Sequence, residues 1–334
     1  MKLVTDLKQK ILAGGEISRS EALALLEVPL EELTAAADEI RKNQCGNAFD
    51  LCTIVNGKCG KCSEDCKYCA QSSYYSTACE ETYPLLPAEI IVAEAKRNAE
   101  RGVLRYSIVT SGKRLSDPEI NQMCETIRAI KKETSIEVCV SFGLLNEEQF
   151  RRLQKAGASR VHCNLESSPR YFPEVCTTHT YEEKIETLKA AKRAGLSICS
   201  GGILGLGETP EDRIDLVLTA RELGVTSLPV NLLNPIPGTP YEHNQPLTKE
   251  EACRFIAIFR FLIPRASIRL AGGRGLLNDQ GRSCFQSGAN AAISGDMLTT
   301  AGISIETDHA LLAGLGYRVQ LPESETMSSR SSGF

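Results

Sequence analysis

From about residue 87 onward, amphipathic segments with helical spacing alternate with short apolar runs rich in β-branched residues. The amphipathic segments carry helix-end signals. PAEIIVAEAKRNAERG has Pro87 at the first helical position and Gly102 just past its end. TPEDRIDLVLTARELG likewise begins with a Thr209 cap and ends at Gly224. Each apolar run that follows such a helix is predicted to be a buried parallel strand.

Eight apolar runs are predicted as strands: FDLCTIV from Phe49, LRYSIVT from Leu104, IEVCVSF from Ile136, SRVHCNL from Ser159, LSICSGG from Leu196, TSLPVNLL from Thr226, SIRLAGG from Ser267 and NAAISG from Asn290. Eight strands that alternate with helices in a chain of 334 residues predict an α/β fold, a (β/α)8 barrel of the TIM type. A doubly wound open sheet is the competing architecture.

The predicted barrel occupies residues 46–320, and no linker divides it. Residues 1–45 contain two helix-like segments and are predicted to form an N-terminal helical extension. Residues 321–334 are polar and poor in apolar side chains, so we expect a flexible C-terminal tail.

The composition, with 42% hydrophobic and 24% charged residues, is that of an ordinary globular protein. A net charge of -4 without any basic run gives no electrostatic basis for binding nucleic acid or an anionic membrane. No apolar run reaches the roughly 18 residues of a membrane span, so we expect a cytoplasmic protein with a small-molecule partner. In that compartment, 14 cysteines point to metal ligation, catalysis or small buried hydrophobes rather than to disulfides.

The loop GKCGKCSEDCKYCAQSS follows the first predicted strand and spaces Cys62, Cys66 and Cys69 as C-x3-C-x2-C. Zinc is the first alternative, but structural zinc prefers four ligands in paired knuckles, and no second knuckle follows. Three thiolates can instead hold an iron–sulfur cubane and leave one of its irons open. Cys59 lies outside this pattern and receives no role.

This spacing, with Tyr68 before the last cysteine, resembles the signature of the radical S-adenosylmethionine superfamily. The resemblance implies that Cys62, Cys66 and Cys69 hold a [4Fe-4S] cluster whose open iron binds the amino and carboxylate groups of S-adenosylmethionine. It also implies that an electron from the cluster cleaves the sulfonium to give a 5′-deoxyadenosyl radical. Iron–sulfur potentials, which extend down to about -700 mV, suit this reduction.

Three residues of the predicted strands suggest a second metal cluster. Period-two alternation in IEVCVSF places Cys139 opposite the all-apolar face, and therefore inside the barrel. Cys199 has a comparable place in LSICSGG, where the glycines are expected to let the backbone approach a ligand. Arg269 lies in an apolar strand, where a lone guanidinium is costly unless it is paired with a negative charge. Taken singly, each cysteine could instead be a small buried hydrophobe.

Seven motifs, in this order, resemble the biotin synthase family from about residue 45 to 317: CSEDCKYCAQSS, IEVCVSFG, HCNLESSP, TTHTYEEK, CSGGILGLGET, PVNLLNPIPGTP and IRLAGGRG. The resemblance implies a homodimeric sulfurtransferase with dethiobiotin as substrate and an electron donor such as flavodoxin or ferredoxin. Hydrogen abstraction at the methyl and methylene carbons would let sulfur from a sacrificial auxiliary cluster close the thiophane ring.

Further site residues follow from the resemblance, carried over by position. Asn164 and Glu166 would contact S-adenosylmethionine, with the Glu166 carboxylate on the ribose hydroxyls and Tyr68 beside them. Ile203 would offer backbone hydrogen bonds to adenine, and Asn231 would bind the ureido ring of dethiobiotin. Glu166 stands where many relatives have aspartate, which lengthens the carboxylate by one methylene group.

Cys139, Cys199 and Arg269 match auxiliary-cluster ligands of the family, whose usual [2Fe-2S] cluster takes a third cysteine from the second strand. Here that strand reads RYSIV, with Ser107, and a hydroxyl is a much poorer iron ligand than a thiolate. Cys52 on the first strand stands where many relatives carry serine. We therefore hypothesise that Cys52, Cys139 and Cys199 bind the auxiliary cluster, and that a four-iron cluster with an extra sulfide is an alternative to [2Fe-2S].

Two nearby residues stay open. Cys163, where relatives usually have histidine, is a rival third ligand, although strand alternation gives it the parity opposite to Asn164 and Glu166. His179 in TTHTY either neighbours the carboxylate of S-adenosylmethionine or lies exposed in a loop.

Two other functions compete with this interpretation. A hydrogenase-maturase or methylornithine-synthase relative would share the triad and the barrel, but is not expected to keep Cys139, Cys199 and Arg269 together. A non-catalytic iron–sulfur redox sensor would need no adenosine pocket, and Asn164 and Glu166 argue against it.

Overall fold

The computed structural model describes residues 2–77 and 81–322. The strands in these residues are β1 (Ala48–Lys58), β2 (Arg105–Thr110), β3 (Glu137–Ser141), β4 (Ala158–His162), β5 (Ser197–Cys199), β6 (Gly202–Leu204), β7 (Ser227–Leu232), β8 (Ser267–Leu270), β9 (Ala291–Ile293) and β10 (Arg318–Val319). The α-helices are α1 (Lys2–Leu12), α2 (Arg19–Ala24), α3 (Leu30–Cys45), α4 (Ala88–Glu100), α5 (Asp117–Glu133), α6 (Glu147–Ala156), α7 (Phe172–Val175), α8 (Tyr181–Arg193), α9 (Pro210–Leu223), α10 (Lys249–Leu262), α11 (Arg282–Gln286) and α12 (Ile305–Gly314). Short 3-10 helices span Leu25–Glu27 and Arg274–Leu276.

Eight of the strands close into a parallel barrel. Their order is β1, β2, β3, β4, β5, β7, β8 and β9, and β9 pairs back onto β1. This closure confirms the predicted TIM-type barrel and is incompatible with an open doubly wound sheet, which would leave two edge strands unpaired. Each predicted strand is present, with its ends moved by a few residues.

Two short strands were not predicted. β6 pairs with β7 just past the end of β5, and β10 pairs with the beginning of β1. Both have three residues or fewer, and β6 begins with glycine, so neither gives a periodic signal in the sequence.

The N-terminal extension contains three α-helices and a 3-10 turn, so the prediction of two helices was wrong. The chain leaves α1 at Gly14 and Gly15, and Pro29 precedes α3, since these residue types disfavour helix interiors. α3 packs against α1 and α10, and α2 packs against α9, so the extension covers helices outside the barrel. Of the predicted tail at 321–334, only residues 321 and 322 lie among the described residues.

Helix ends largely follow the predicted signals. Thr209 caps α9 by accepting a hydrogen bond from the Asp212 N–H, and Gly224 ends it with a left-handed φ of 73°. Pro87 is not the first helical residue: its ψ of 144° is extended, and α4 begins at Ala88. None of the helices in the described ranges has the length and apolarity to cross a bilayer.

The two faces of β3 separate the core from the barrel interior. Val138 and Val140 are fully buried in the core that the strands share with the helices. Cys139 between them lines the internal cavity, as the alternation predicted.

Candidate active site

A cavity of about 420 Å³ opens at the carboxyl ends of the barrel strands. The loop after β1 forms one wall and contributes Cys62, Cys66 and Cys69. All eight barrel strands contribute to the rest of the lining, and the carboxyl ends of the strands are the usual place for an active site in this fold.

The cysteine loop is held by its own backbone and by the neighbouring strand. The Cys62 N–H donates to the Gln71 carbonyl at 2.9 Å, and the Ser73 N–H donates to the Cys62 carbonyl at 2.9 Å. The Gly112 N–H, just past β2, donates to Cys62 Sγ at 3.2 Å. An amide directed at a cysteine sulfur is the contact that stabilises a metal-bound thiolate, so this donor set fits an iron–sulfur cluster.

Cys66 also meets a cysteine that the sequence did not single out. Cys66 Sγ lies 3.7 Å from Cys176 Sγ, just after α7. Their hydrogen bond, together with burial, raises the pKa of Cys66. The same bond lowers the pKa of Cys176 to about 4, while Cys176 Sγ also lies 3.1 Å from Asp65 Oδ1.

Asn164 and Glu166 lie together after β4. Glu166 adopts a left-handed φ of 67°, which is uncommon for a residue other than glycine. Its carbonyl accepts the Ile203 N–H at 2.9 Å, while Glu166 Oε2 accepts the Asn164 amide at 3.3 Å. Tyr68 is half-buried beside this carboxylate, and burial and the charge of Glu166 raise the pKa of Tyr68.

Lys184 is a cavity residue that sequence reasoning missed. It is buried on α8, with Nζ 4.0 Å from Glu166 Oε1 and 5.7 Å from the centre of the Phe172 ring. Burial lowers the pKa of Lys184, but the neighbouring Cys163 and Glu166 raise it above its ordinary value. The Lys184 side chain therefore stays charged. Its position on the inner face of an amphipathic helix was the available signal.

His179 is buried and lines the cavity, so its interpretation as an exposed loop residue was wrong. Its Nδ1 lies 2.6 Å from Glu64 Oε2 and 3.3 Å from Cys176 Sγ. These contacts, with the Phe172 ring 5.7 Å away, hold the side chain inside.

A second set of thiols lies deeper in the barrel. Cys52, Cys139 and Cys199 are all buried and line the same cavity. Burial raises the pKa of Cys52, and the nearby Cys139 contributes to the same shift; Cys139 is in turn within electrostatic reach of Cys199. Ser107 pairs in register with Cys139 and faces the same interior, but offers only a hydroxyl.

Three arginines surround one carboxylate beneath these thiols. Asp50 Oδ2 accepts hydrogen bonds from Arg269 at 2.7 Å, Arg105 at 2.9 Å and Arg160 at 3.3 Å. Burial raises the pKa of Asp50. The charges of the three arginines outweigh this effect and hold the pKa of Asp50 well below its usual range. Asp50 and these guanidiniums form a buried ion network next to Cys52.

His162 is a second cavity residue that sequence reasoning missed. It faces the cavity from β4 and pairs in register with Cys199. Burial alone would raise the pKa of Cys199. A hydrogen bond with His162 and the charges of Arg160 and Arg269 lower this pKa to about 7. The Cys199 thiol therefore ionises more readily than an ordinary cysteine.

Cys163 lines the cavity too, because β4 has ended at His162 and strand alternation no longer applies. Its electrostatic neighbours are Lys184 and Glu166, not the arginines or the other thiols. Cys59 lies outside the cavity lining, and its backbone pairs with Tyr83.

Asn231 projects into the cavity from β7. Its amide nitrogen donates to the Gly202 carbonyl at 3.0 Å, and its oxygen accepts the Gly272 N–H at 2.9 Å. One N–H and one lone pair remain for a ligand, since an amide has two of each.

The glycines after Cys199 serve the protein backbone first. A Cβ on Gly201 would lie 1.9 Å from the Pro229 carbonyl oxygen, and one on Gly202 would lie 2.3 Å from that of Glu166. The expectation that these two glycines make room for a ligand is corrected accordingly: they let β6 pack against its neighbours.

Comparison with protein families matches residues 58–220 to the Radical SAM superfamily and residues 229–318 to the Biotin and Thiamin Synthesis associated domain. The chain is 56% identical over 318 residues to a curated "Biotin synthase" of Brachyspira hyodysenteriae, covering 95% of each chain. It is 55% identical over 326 residues to "Biotin synthase 2" of Corynebacterium diphtheriae, covering 98% of this chain and 99% of that relative.

Solved structures with the same fold include a methylornithine synthase, with a TM-score of 0.82, 18% identity, and coverage of 96% of this chain and 99% of that one. The FeFe-hydrogenase maturase of Carboxydothermus hydrogenoformans gives a TM-score of 0.79 at 19% identity, over 94% of this chain and 78% of that one. At such identities these structures share the fold alone.

Proposed function

The chain belongs to the biotin synthase family of radical S-adenosylmethionine enzymes, and from this membership we propose how its cavity is divided between two iron–sulfur sites. It is a sulfurtransferase that converts dethiobiotin to biotin, and its family uses a [4Fe-4S] cluster with S-adenosylmethionine. The maturase and methylornithine-synthase alternatives are not favoured, because those structures resemble the chain only in fold. The observation that carries the proposal is that two separate sets of thiols line one cavity.

Cys62, Cys66 and Cys69 are the proposed ligands of the [4Fe-4S] cluster. Their shared exposure to the cavity and the Gly112 amide on Cys62 support this role. When bound, this group supplies the electron that cleaves S-adenosylmethionine. The loop must therefore hold three thiolates and leave one coordination site facing the cavity.

The wall beside the loop is the proposed S-adenosylmethionine site. Lys184 would pair with its carboxylate, since this buried cation faces the space between the loop and Glu166. Glu166 would accept hydrogen bonds from the ribose hydroxyls, with Asn164 and Tyr68 fixing its orientation. The Ile203 N–H is already bonded to Glu166, so adenine would use the Ile203 carbonyl.

Cys52, Cys139 and Cys199, with Arg269, are the proposed auxiliary-cluster ligands. The Arg269 guanidinium supports this role, because it is buried within electrostatic reach of Cys52 and Cys199 and would stabilise their thiolates. In this role the auxiliary cluster is the sulfur source. Because the third thiolate comes from β1 rather than β2, we propose a four-iron cluster with an extra sulfide in place of [2Fe-2S].

Dethiobiotin is proposed to lie between the two thiol sets. Asn231 has one N–H and one lone pair free for the ureido group, the pairing that a cyclic urea offers. Fixed by Gly202 and Gly272, the Asn231 amide would hold the substrate without moving.

Several properties rest on the family resemblance. We propose a homodimer, a flavodoxin or ferredoxin as electron donor, and a cytoplasmic location, where thiols stay reduced. We also retain the division into a helical extension (1–45), a barrel (46–320) and a C-terminal tail (321–334).

The activity is tested by incubating the anaerobically reconstituted chain with S-adenosylmethionine, dithionite and dethiobiotin. Biotin and 5′-deoxyadenosine should form together, and 5′-deoxyadenosine should depend on dethiobiotin. No 5′-deoxyadenosine under any condition would favour a redox sensor, and its formation without biotin would favour another radical enzyme.

The third auxiliary ligand is tested with Cys52→Ser, with Cys163→Ser as the matched control. Iron and sulfide counts should fall, and the auxiliary Mössbauer signal should change, in Cys52→Ser alone. An unchanged auxiliary signal in Cys52→Ser would remove this residue from the site.

A further inference from the structure

Cys66, Cys176 and His179 bring three metal-binding atoms together on the inner side of the cysteine loop. The two sulfurs lie 3.7 Å apart, and Cys176 Sγ lies 3.3 Å from His179 Nδ1. All three ligand atoms lie within 4.8 Å of one another. We propose that the cluster-free chain binds one thiophilic divalent cation, such as Zn²⁺, through these residues.

The separations match those of ligands on one tetrahedral ion. With Zn–S bonds of about 2.3 Å and Zn–N bonds of about 2.0–2.1 Å, two sulfurs lie about 3.8 Å apart and a sulfur and a nitrogen about 3.5 Å apart. The distances in the chain differ from these by tenths of an ångström. Two thiols and an imidazole on one ion make a donor set that zinc favours.

His179 is hydrogen-bonded before any ion binds. Its Nδ1 lies 2.6 Å from Glu64 Oε2, a hydrogen-bond distance, so the ring proton must leave before this nitrogen binds an ion. Zinc sites with three protein ligands take a water in the fourth position, so the two thiolates, the imidazole and a water would complete a tetrahedral shell.

The site is held in place by contacts outside the ligand set. Asp65 accepts the backbone N–H groups of Thr177 at 2.8 Å and Thr178 at 3.1 Å, which ties the segment after α7 to the cysteine loop. Cys176 and His179 are buried, at 2% and 7% exposure. Binding therefore needs little ordering of the chain, which favours affinity.

Zinc and the [4Fe-4S] cluster would exclude each other, because both need Cys66. A single ion draws Cys66 towards Cys176, whereas the cluster needs it directed with Cys62 and Cys69 into the cavity. This exclusion rests on the proposed role of Cys66, but the binding of the ion does not.

Binding is tested with the full chain freed of iron and carrying Cys62→Ser and Cys69→Ser, so that the triad itself cannot hold the ion. It should bind one Co²⁺ with the absorption of a tetrahedral two-thiolate site, and Zn²⁺ should displace it. Adding Cys176→Ser should weaken Zn²⁺ binding, measured by competition with a chelating dye, by about a hundredfold or more.

The control in that background is Cys163→Ser, a buried cavity cysteine outside the group, which should leave the affinity unchanged. His179→Gln, on the other side of the ion, should weaken binding as Cys176→Ser does. Equal affinities in the Cys176→Ser chain and its parent, or equal losses in Cys176→Ser and Cys163→Ser, would overturn the proposal.

Exclusion is tested on the iron-free chain with its triad intact. Zn²⁺ added before iron and sulfide should block formation of the loop cluster, read from its absorption and iron content, and Cys176→Ser should relieve the block. If Cys176 proves necessary for Zn²⁺ binding but clusters assemble despite bound Zn²⁺, the metal site stands and the role of Cys66 in the cluster is wrong.

Discussion

Single residues of the site could be predicted where the sequence shows a spacing or an alternation. Cys62, Cys66 and Cys69 follow from their spacing, and Cys139 from the alternation of β3. Asp50 gave no signal, because a lone carboxylate in a strand does not reveal the arginines that come to it from β2, β4 and β8. Such partners are far apart in sequence and meet only when the barrel closes.

Asp50→Asn tests the buried ion network. It removes the Asp50 charge from three guanidiniums, and removing one partner from a buried ion network is expected to cost about 3–5 kcal/mol of unfolding free energy. Chemical denaturation of the full chain measures the change. Glu306→Gln, which removes an exposed partner of Arg101, is the control and should change the stability far less. Equal effects of the two variants would contradict the account.

Lys184→Met tests the proposed contact with the S-adenosylmethionine carboxylate. Loss of this buried cation removes a charge-assisted hydrogen bond. The dissociation constant for S-adenosylmethionine should rise about tenfold or more, which corresponds to about 1.4 kcal/mol of binding free energy. Equilibrium dialysis on the reconstituted chain without reductant measures it. Lys189→Met, an exposed position on the same helix, should leave binding intact. An unchanged constant for Lys184→Met would remove this residue from the site.

Elements could be predicted where they are long enough to be periodic. The eight barrel strands and most helices were found from apolar runs and from Pro, Gly and Thr end signals. β6 could not be found, since a three-residue strand that begins with glycine has no period. Yet the backbone of this strand pairs with Glu166, and the Ile203 N–H donates to the Glu166 carbonyl. The strand therefore shapes the proposed adenosine pocket.

Gly202→Ala tests the packing of β6. The added Cβ would lie 2.3 Å from the Glu166 carbonyl oxygen and 2.7 Å from Leu216 Cδ2, closer than atoms approach, so Glu166 must shift. Affinity for S-adenosylmethionine should fall about tenfold. Gly314→Ala at the end of α12, where no atom lies within 4 Å, should leave it unchanged. Equal affinities in both variants would show that β6 does not support the pocket.

The architecture of the whole molecule followed from the count and order of its elements, since eight strands that alternate with helices have few other ways to pack. The proposed division of one cavity into two sites could be predicted only in part, because it depends on which side chains face one another across the barrel. Overall stability depends on similar long-range pairings. Asp212, for example, accepts hydrogen bonds from Arg170 and Ser168 while it also caps α9.

Asp212→Asn tests the acid dependence of stability. Burial raises the pKa of Asp212, but hydrogen bonds from Arg170, Ser168 and Thr209 lower it to about 2. Its ionised form therefore stabilises the fold above about pH 4, the range of an unfolded carboxylate, and this contribution is lost as the pH falls towards 2. The stability gap between wild type and variant, from denaturation at several pH values, should shrink over that range. A gap independent of pH would contradict this.

The central claim, that three loop thiolates leave one iron open for S-adenosylmethionine, is tested most directly by hyperfine spectroscopy. The Cys52→Ser, Cys139→Ser and Cys199→Ser triple variant removes the proposed auxiliary thiols and should retain one four-iron cluster. In its reduced state, S-adenosylmethionine labelled in the amino and carboxylate groups should couple magnetically to that cluster, and further change of Cys66→Ser should abolish the signal. No coupling to the label, or a coupled cluster that survives Cys66→Ser, would contradict the account.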